Sequence, residues 1–165
     1  MSTTTFDADV VYGIACEVFA AMVDGEDGGL HPWPGPRPVH AEPLAAWVDL
    51  HGPWAGRASL VTDASTARDL ARALLGLAPG DDVSPDDLVD AFGEIANVVG
   101  GNVKALLPET GTLGLPQVGP AAPVPDAATV VHELRLAWRG RPLEVEISTS
   151  GSGTTAPGTS KEARP

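Results

Sequence analysis

A carboxylate and a carboxamide stand three positions apart in the segment DAFGEIANVVGGNVKALLP, residues 90–108. Side chains at positions i and i+3 of a helix are neighbours on one face, so Glu94 and Asn97 would point the same way, one turn apart. A carboxylate accepts hydrogen bonds and pairs with cations, whereas a carboxamide both accepts and donates. The pair could therefore engage a charged or polar partner from the surface of a helix.

The segment that carries this pair has the pattern of an amphipathic helix. Ser84 is a capping residue, Pro85 takes the first helical position and two acids follow, which predicts a helix over 84–107 that ends before Pro108. One face of this helix is apolar and consists of Leu88, Phe92, Ile95, Val99, Val103 and Leu106. The opposite face, called the polar ridge below, consists of Asp90, Glu94, Asn97, Gly101 and Lys104. We expect the apolar face in the core and the polar ridge in solvent.

Three glycines interrupt the same helix, although each glycine in a helix interior costs about 0.8–1 kcal/mol relative to alanine. Gly93 and Gly100 fall on one flank, which predicts that a neighbouring helix or strand packs closely there. Gly101 belongs to the polar ridge, where the missing side chain would leave room for a docked partner.

The remaining elements are predicted from periodicity and from turn residues. Residues 6–23 have a helical apolar stripe, and residues 24–43 form a loop rich in glycine and proline. Alternating strands at 44–50 and 55–62 indicate a hairpin, followed by a helix that begins at Asp63 or Ser65 and stops at Gly76.

The C-terminal part of the chain predicts a loop, a second hairpin and a tail. Residues 109–127 are loop-like, with a short strand at 113–118. The hairpin turns at Arg139-Gly140; its apolar face contains Leu134, Leu136, Trp138, Leu143, Val145 and Ile147, and its polar face offers cross-strand ion pairs among Glu133, Arg135, Glu144 and Glu146. The order of elements predicts an α+β fold, with an antiparallel sheet of hairpins packed against helices. We expect one domain over residues 1–148 and a disordered tail over 149–165.

Composition excludes several classes of function. The chain has 165 residues and a formal net charge of −12, and it lacks the Lys/Arg clusters that nucleic acid or an anionic membrane surface would require. Cys16 is the single cysteine, so neither an internal disulfide nor a thiolate metal cage can form. The N-terminus has no signal-peptide pattern and no segment is long enough to span a membrane, which predicts a cytoplasmic protein.

The segment around Glu94 and Asn97 resembles the signature helix of the CheC/CheX/FliY family of response-regulator phosphatases. That family's pattern is an Asp or Ser, a Glu and an Asn at the spacing of Asp90, Glu94 and Asn97, with a proline about 22 residues after the Asn. Pro120 stands at that distance, and Pro116, in the short predicted strand, is the alternative counterpart. The element order agrees over residues 6–148. The chain carries one copy of the motif, which is similar to the CheX branch, whose members form homodimers.

The resemblance implies a phosphatase, a hydrolase of two-component signal transduction and chemotaxis. Its substrate would be the aspartyl phosphate of a response-regulator receiver domain. Asn97 would orient the attacking water, and Glu94 would pair with the receiver's lysine. Asp90, Gly101 and Lys104 would belong to the partner-binding surface, with the role of Asp90 left open. This chain would bind no cofactor, because the receiver supplies Mg²⁺.

Two other interpretations of the same residues stay open. Exposed Glu and Asn are common on helices, so Glu94 and Asn97 could be ordinary solvent-facing residues. Alternatively, the protein could be a non-catalytic adaptor that binds or sequesters a phosphorylated receiver. No residue separates the adaptor from the phosphatase, since Glu94 and Asn97 would serve docking and hydrolysis together.

Overall fold

The computed structural model describes residues 7–107, 109, 111–124 and 129–149. This part of the chain forms three α-helices, which are α1 (Ala8–Phe19), α2 (Ala64–Leu75) and α3 (Pro85–Lys104). Its strands are β1 (Leu30–Pro32), β2 (Pro43–His51), β3 (Gly56–Asp63), β4 (Thr112–Leu113), β5 (Gln117–Gly119), β6 (Thr129–Trp138) and β7 (Arg141–Thr149). A short π-helical turn, Ala20–Asp24, continues α1.

The strands form one seven-stranded antiparallel sheet in the order β1-β6-β7-β3-β2-β4, and β5 also pairs with β2. Because β3 occupies the other side of β2, β4 and β5 share one edge of that strand. The helices pack on one face of this sheet and enclose the hydrophobic core. The predicted α+β fold with an antiparallel sheet is therefore confirmed.

Alternate residues of the central strands supply the sheet's side of the core. Leu60 of β3 lies opposite Val145 of β7, and both are buried. At the end of the last hairpin, Trp138 is buried against Phe19 in an edge-to-face contact with ring centroids 6.4 Å apart. Its indole nitrogen donates to Asp24 at 3.1 Å, so the one polar atom of this ring is satisfied.

Local signals predicted both hairpins and the second helix correctly. β2 and β3 pair around residues 52–55, and β6 and β7 pair around Arg139 and Gly140. Helix α2 ends at Gly76, which adopts a left-handed conformation with φ of 72°. Asp63 is its N-terminal cap residue, but the carboxylate accepts from the Glu42 amide and not from the helix.

The first helix and the loop after it differ from the prediction. Regular α-helix covers Ala8–Phe19 rather than 6–23, since the chain widens into the π-helical turn at Ala20. The loop predicted over 24–43 contains strand β1, which pairs with Leu136–Trp138 at one edge of the sheet. A proline is tolerated there because an edge strand does not need every amide hydrogen.

Three boundaries in the second half of the chain also need correction. Helix α3 ends at Lys104 and not at residue 107, and residues 105–107 continue as turns. The single strand predicted over 113–118 is two short strands, β4 and β5. Thr149 closes β7 by pairing with Thr129 and Gly56, so the predicted tail begins one residue too early; its other residues, 150–165, lie outside the described part of the chain.

The expected cross-strand ion pairs of the last hairpin are largely replaced by other pairs. Glu133 faces Glu146, and Arg135 lies 3.5 Å from Glu133 on its own strand. Glu144 binds His40 at 2.7 Å instead, because the proline-rich loop crosses this face of the sheet. Arg37 of the same loop lies 3.2 Å from Glu133. Over the described ranges, the structure contains no helix with the length and apolarity needed to cross a membrane.

Candidate functional site

Helix α3 positions the candidate residues, and its start is well determined. The Ser84 hydroxyl accepts a hydrogen bond from the Asp87 amide at 3.1 Å, and Pro85 occupies the first turn. Asp86 and Asp87 lie at the positive end of the helix dipole, and Lys104 lies at the negative end. A cap of this kind stabilises a helix by about 0.5–2 kcal/mol, which fixes where the helix begins and which residues share each face.

The buried side of α3 sets the direction of its polar ridge. Phe92, Ile95, Val99 and Val103 are each no more than 1% exposed. On the ridge, Asp90 and Glu94 are exposed, whereas Asn97, Gly101 and Lys104 are half-buried. The structure therefore brings all five predicted site residues onto one side of the helix, as the helical spacing predicted.

Two glycines of α3 face the sheet, and one of them, Gly100, allows a close approach. A Cβ at Gly100 would overlap the Val48 side chain of β2 and would lie 3.4 Å from Leu113. A Cβ at Gly93 would lie 3.4 Å from the Cβ of Pro116. The prediction of tight packing is confirmed at Gly100, whereas a Cβ at Gly93 would make only ordinary van der Waals contacts; the neighbour at both positions is the β2 edge with its short partner strands.

The same contacts explain why Asn97 is more buried than Glu94. The chain from Leu113 to Pro116 runs beside α3, with Leu113 near Gly100 and Pro116 near Gly93. Asn97 lies between those two glycines on the helix, on the flank of the ridge nearest this chain. Asn97 is therefore half-buried, whereas Glu94 is exposed.

Of the two candidate prolines, Pro116 packs on the motif helix. Pro116 is half-buried against Gly93, whereas Pro120 is exposed beyond the end of β5. The sequence could not choose between them, because several prolines follow the motif. The pairing of β5 with β2 places residues 116–118 beside α3, so Pro116 contacts the helix, whereas Pro120 keeps the family's spacing from Asn97.

A depression of about 290 Å³ opens at the C-terminal end of the polar ridge. It is lined by Gly101, Lys104, Ala105, Leu107 and Leu113. A Cβ built at Gly101 would have one neighbouring atom within 4 Å, in the Leu113 side chain at 4.0 Å. The space in front of Gly101 is therefore open. Room for a partner beside Gly101 is thus present.

Other candidate groups in the described ranges are structural or isolated. Cys16 is half-buried on α1 beside Tyr12, and burial together with the Cys16 hydrogen bond raises the pKa of Tyr12. Among the residues the structure describes, no three His, Cys, Asp or Glu side chains come together in a way that could hold a metal ion.

The family model described as "Chemotaxis phosphatase CheX" matches residues 44–124, which include the whole of α3 and Pro116. None of the curated proteins matches the sequence significantly.

Several solved structures share the fold. The chemotaxis protein CheX of Vibrio vulnificus is 18% identical, with a TM-score of 0.67 over 90% of this chain and 99% of that one. CheX of Desulfovibrio desulfuricans is 21% identical, with a TM-score of 0.65 over 86% and 97%. The CheX–CheY–BeF3–Mg²⁺ complex of Borrelia burgdorferi matches with 18% identity and a TM-score of 0.66 over 87% and 97%.

The segment that matches the family model includes the candidate site residues, and the shared fold places them on one helix. The matched segment contains Asp90, Glu94 and Asn97 on the exposed side of α3, and the whole described sheet and helix arrangement is that of the CheX structures. Residues 44–124 therefore match the chemotaxis phosphatase CheX family in sequence, and the chain shares the fold of the CheX structures.

Proposed function

We propose that this protein hydrolyses the aspartyl phosphate of a response-regulator receiver domain. The observation that carries the proposal is the placement of Glu94 and Asn97 one turn apart on the open side of a helix whose other side is buried. The fold neighbour from Borrelia burgdorferi, which was solved in complex with CheY, supports a receiver domain as the partner.

The chemistry asks little of the protein beyond positioning. An acyl phosphate already has a good leaving group, the aspartate carboxylate, so hydrolysis needs mainly a water molecule in line with the breaking P–O bond. Asn97 would supply this: its amide oxygen accepts a hydrogen bond from the water, and its NH₂ group donates to a phosphoryl oxygen without adding negative charge.

Glu94 would guide the docking. Its carboxylate is exposed one turn before Asn97, where it can pair with the receiver's lysine and set the depth at which the helix enters. Asp90, Gly101 and Lys104 would complete the contact surface along the ridge. When bound, Mg²⁺ carried by the receiver would neutralise charge on the phosphoryl group, and this chain would bind no cofactor of its own.

Assembly and location are part of the same proposal. We expect a homodimer that pairs through a sheet edge or an adjoining helix, so that each protomer presents one polar ridge to a receiver. The sheet ends at β1, an edge strand of three residues, which offers backbone for pairing. The cytoplasm is the expected location.

The decay of a phosphorylated receiver distinguishes the phosphatase from the adaptor. Receiver domains from the source genome would be phosphorylated with acetyl phosphate, freed of the donor, and followed with and without catalytic amounts of this protein. Faster decay with turnover supports the phosphatase. Binding with unchanged or slower decay would instead establish the adaptor.

A further inference from the structure

The sheet edge beside Asn97 contains a β-bulge that periodicity does not predict. Leu113 of β4 pairs with Leu50, and Gln117 of β5 pairs with Trp47. Three residues, 114–116, therefore stand opposite two, Val48 and Asp49. The Gly114 amide still donates to the Asp49 carbonyl at 2.8 Å, so the extra residue lies after Gly114. Bulges of this kind redirect a side chain and are frequent next to functional sites.

Leu115 is the residue that the bulge turns outward. It is 85% exposed, whereas Leu113 and Pro116 on either side are half-buried. Both ends of the bulge are held by pairing with β2, and Pro116 fixes its own backbone and restricts Leu115. An apolar side chain is thus presented to solvent on a rigid support, at little further entropic cost when it is covered.

The contacts of the neighbouring residues place Leu115 alongside the polar ridge. Leu113 lies near Gly100 and Pro116 lies near Gly93, so the bulge spans the stretch of α3 that contains Asn97. The exposed leucine therefore belongs to the segment that runs beside the turn of α3 containing Asn97. Single exposed apolar residues are common and need no explanation, but this one stands on a fixed bulge beside the candidate site.

We infer that Leu115 is an apolar anchor for the receiver domain, covered by an apolar patch of the receiver next to its phosphorylated aspartate. This inference rests on the proposed function and assigns Leu115 a positioning role. An apolar side chain that is covered on docking adds binding energy, while the ridge gives orientation. Leu115 would thus set how tightly the phosphorylated receiver docks, and Asn97 would set how fast it is hydrolysed.

The test compares Leu115→Ser, Leu115→Met and the control Val39→Ser in the full chain. Val39 is 90% exposed and is the neighbour of His40 in the proline-rich loop. This loop crosses the face of the sheet opposite the helices, away from the polar ridge. Hydrolysis is measured over a range of phosphorylated receiver concentrations. Binding is measured separately by calorimetry with the receiver in its BeF3–Mg²⁺ form, and thermal melts confirm that each variant folds.

We expect Leu115→Ser to raise both KM and Kd roughly tenfold, the loss that one apolar anchor supplies, with kcat within about twofold. Leu115→Met and Val39→Ser should match the wild type. If Leu115→Ser has the same KM and Kd as the wild type, the inference is overturned and the proposed function still stands. A wild type that neither binds nor hydrolyses any receiver would overturn the proposed function and the inference with it. Binding without hydrolysis would contradict only the phosphatase, and the calorimetry would still decide the role of Leu115.

Discussion

Gly100 of α3 lies directly against Val48 of β2, in a space that a Cβ at residue 100 would have to share with the Val48 side chain. This contact sets how closely the motif helix approaches the sheet. It also brings the β4 and β5 segment alongside the stretch of helix that contains the half-buried Asn97. The geometry of the proposed site therefore depends on a residue that has no side chain.

The adjacent glycines of α3 should respond to alanine in opposite ways. Gly100→Ala should destabilise the protein by about 1–3 kcal/mol, because the added methyl overpacks the contact with Val48. Gly101→Ala should be neutral or should stabilise by up to about 1 kcal/mol, since its Cβ has space and alanine favours a helix. Urea unfolding of the two variants measures both effects, and a Gly100→Ala protein as stable as Gly101→Ala would refute the packing described here.

Charge reversal at Glu94 should act mainly on docking. Glu94→Lys would set two cations against each other at the receiver's lysine, and like charges at an interface can cost several kcal/mol. We expect receiver binding to weaken by at least about tenfold, as measured by titration calorimetry. Glu17→Lys, an equal change at an exposed residue of α1, is the control. Equal affinities for the wild type and Glu94→Lys would show that Glu94 is not the docking residue.

The ionised carboxylate of Glu146 should destabilise the folded protein at neutral pH. Burial raises its pKa, and the Glu133 and Glu144 carboxylates raise it further, while Arg37 acts in the opposite direction. A raised pKa in the folded state means that the favourable contribution of Glu146 is present at low pH and is lost as the pH rises through that pKa.

The variant Glu146→Gln should therefore have a higher Tm than the wild type at neutral pH, and the gain should disappear in acid. We expect the gain to stay below about 1 kcal/mol, because solvent screens a partly exposed group. Glu17→Gln on α1 serves as the control and should melt like the wild type at both pH values. A lower Tm for Glu146→Gln at neutral pH would contradict the charge assignment on this face.

Dimerisation should strengthen with salt. The net charge of −12 makes two copies repel each other at low ionic strength, and salt screens that repulsion. Sedimentation velocity at low and high salt measures both the oligomer and its salt dependence. A monomer at every concentration and salt level would rule out the homodimer, whereas dissociation on adding salt would rule out the electrostatic explanation.

The sequence predicts those parts of the fold that have local causes. Ser84 and Pro85 fix the start of α3, and the apolar period fixes which side is buried, so the polar ridge follows. The split between β4 and β5 has a cause that lies elsewhere in the chain, because the partner strand β2 determines which of residues 112–119 can pair. A periodicity of two predicts one continuous strand there, and the bulge at Leu115 is therefore missed.

The same reason explains the ion pairs that differ from the prediction. Strand alternation correctly places Glu133, Arg135, Glu144 and Glu146 on one face, but the proline-rich loop that crosses this face brings its own partners. Arg37 and His40 are distant from the last hairpin in sequence, and no local pattern predicts that they pair with Glu133 and Glu144.

The rate at which Asn97→Ala dephosphorylates a receiver tests the central claim most directly. The measurement follows loss of the aspartyl phosphate with wild type, Asn97→Ala and Asn102→Ala. Asn102 is the matched control, since it is an exposed asparagine on the same helix whose amide donates to the Val98 carbonyl at 2.8 Å. Asn97→Ala should keep its Tm, because no core side chain is removed, and should lose about 100-fold or more in kcat, the loss typical of a removed positioning group. Asn102→Ala should remain active, and an Asn97→Ala protein that hydrolyses the receiver as fast as the wild type would contradict the proposed mechanism.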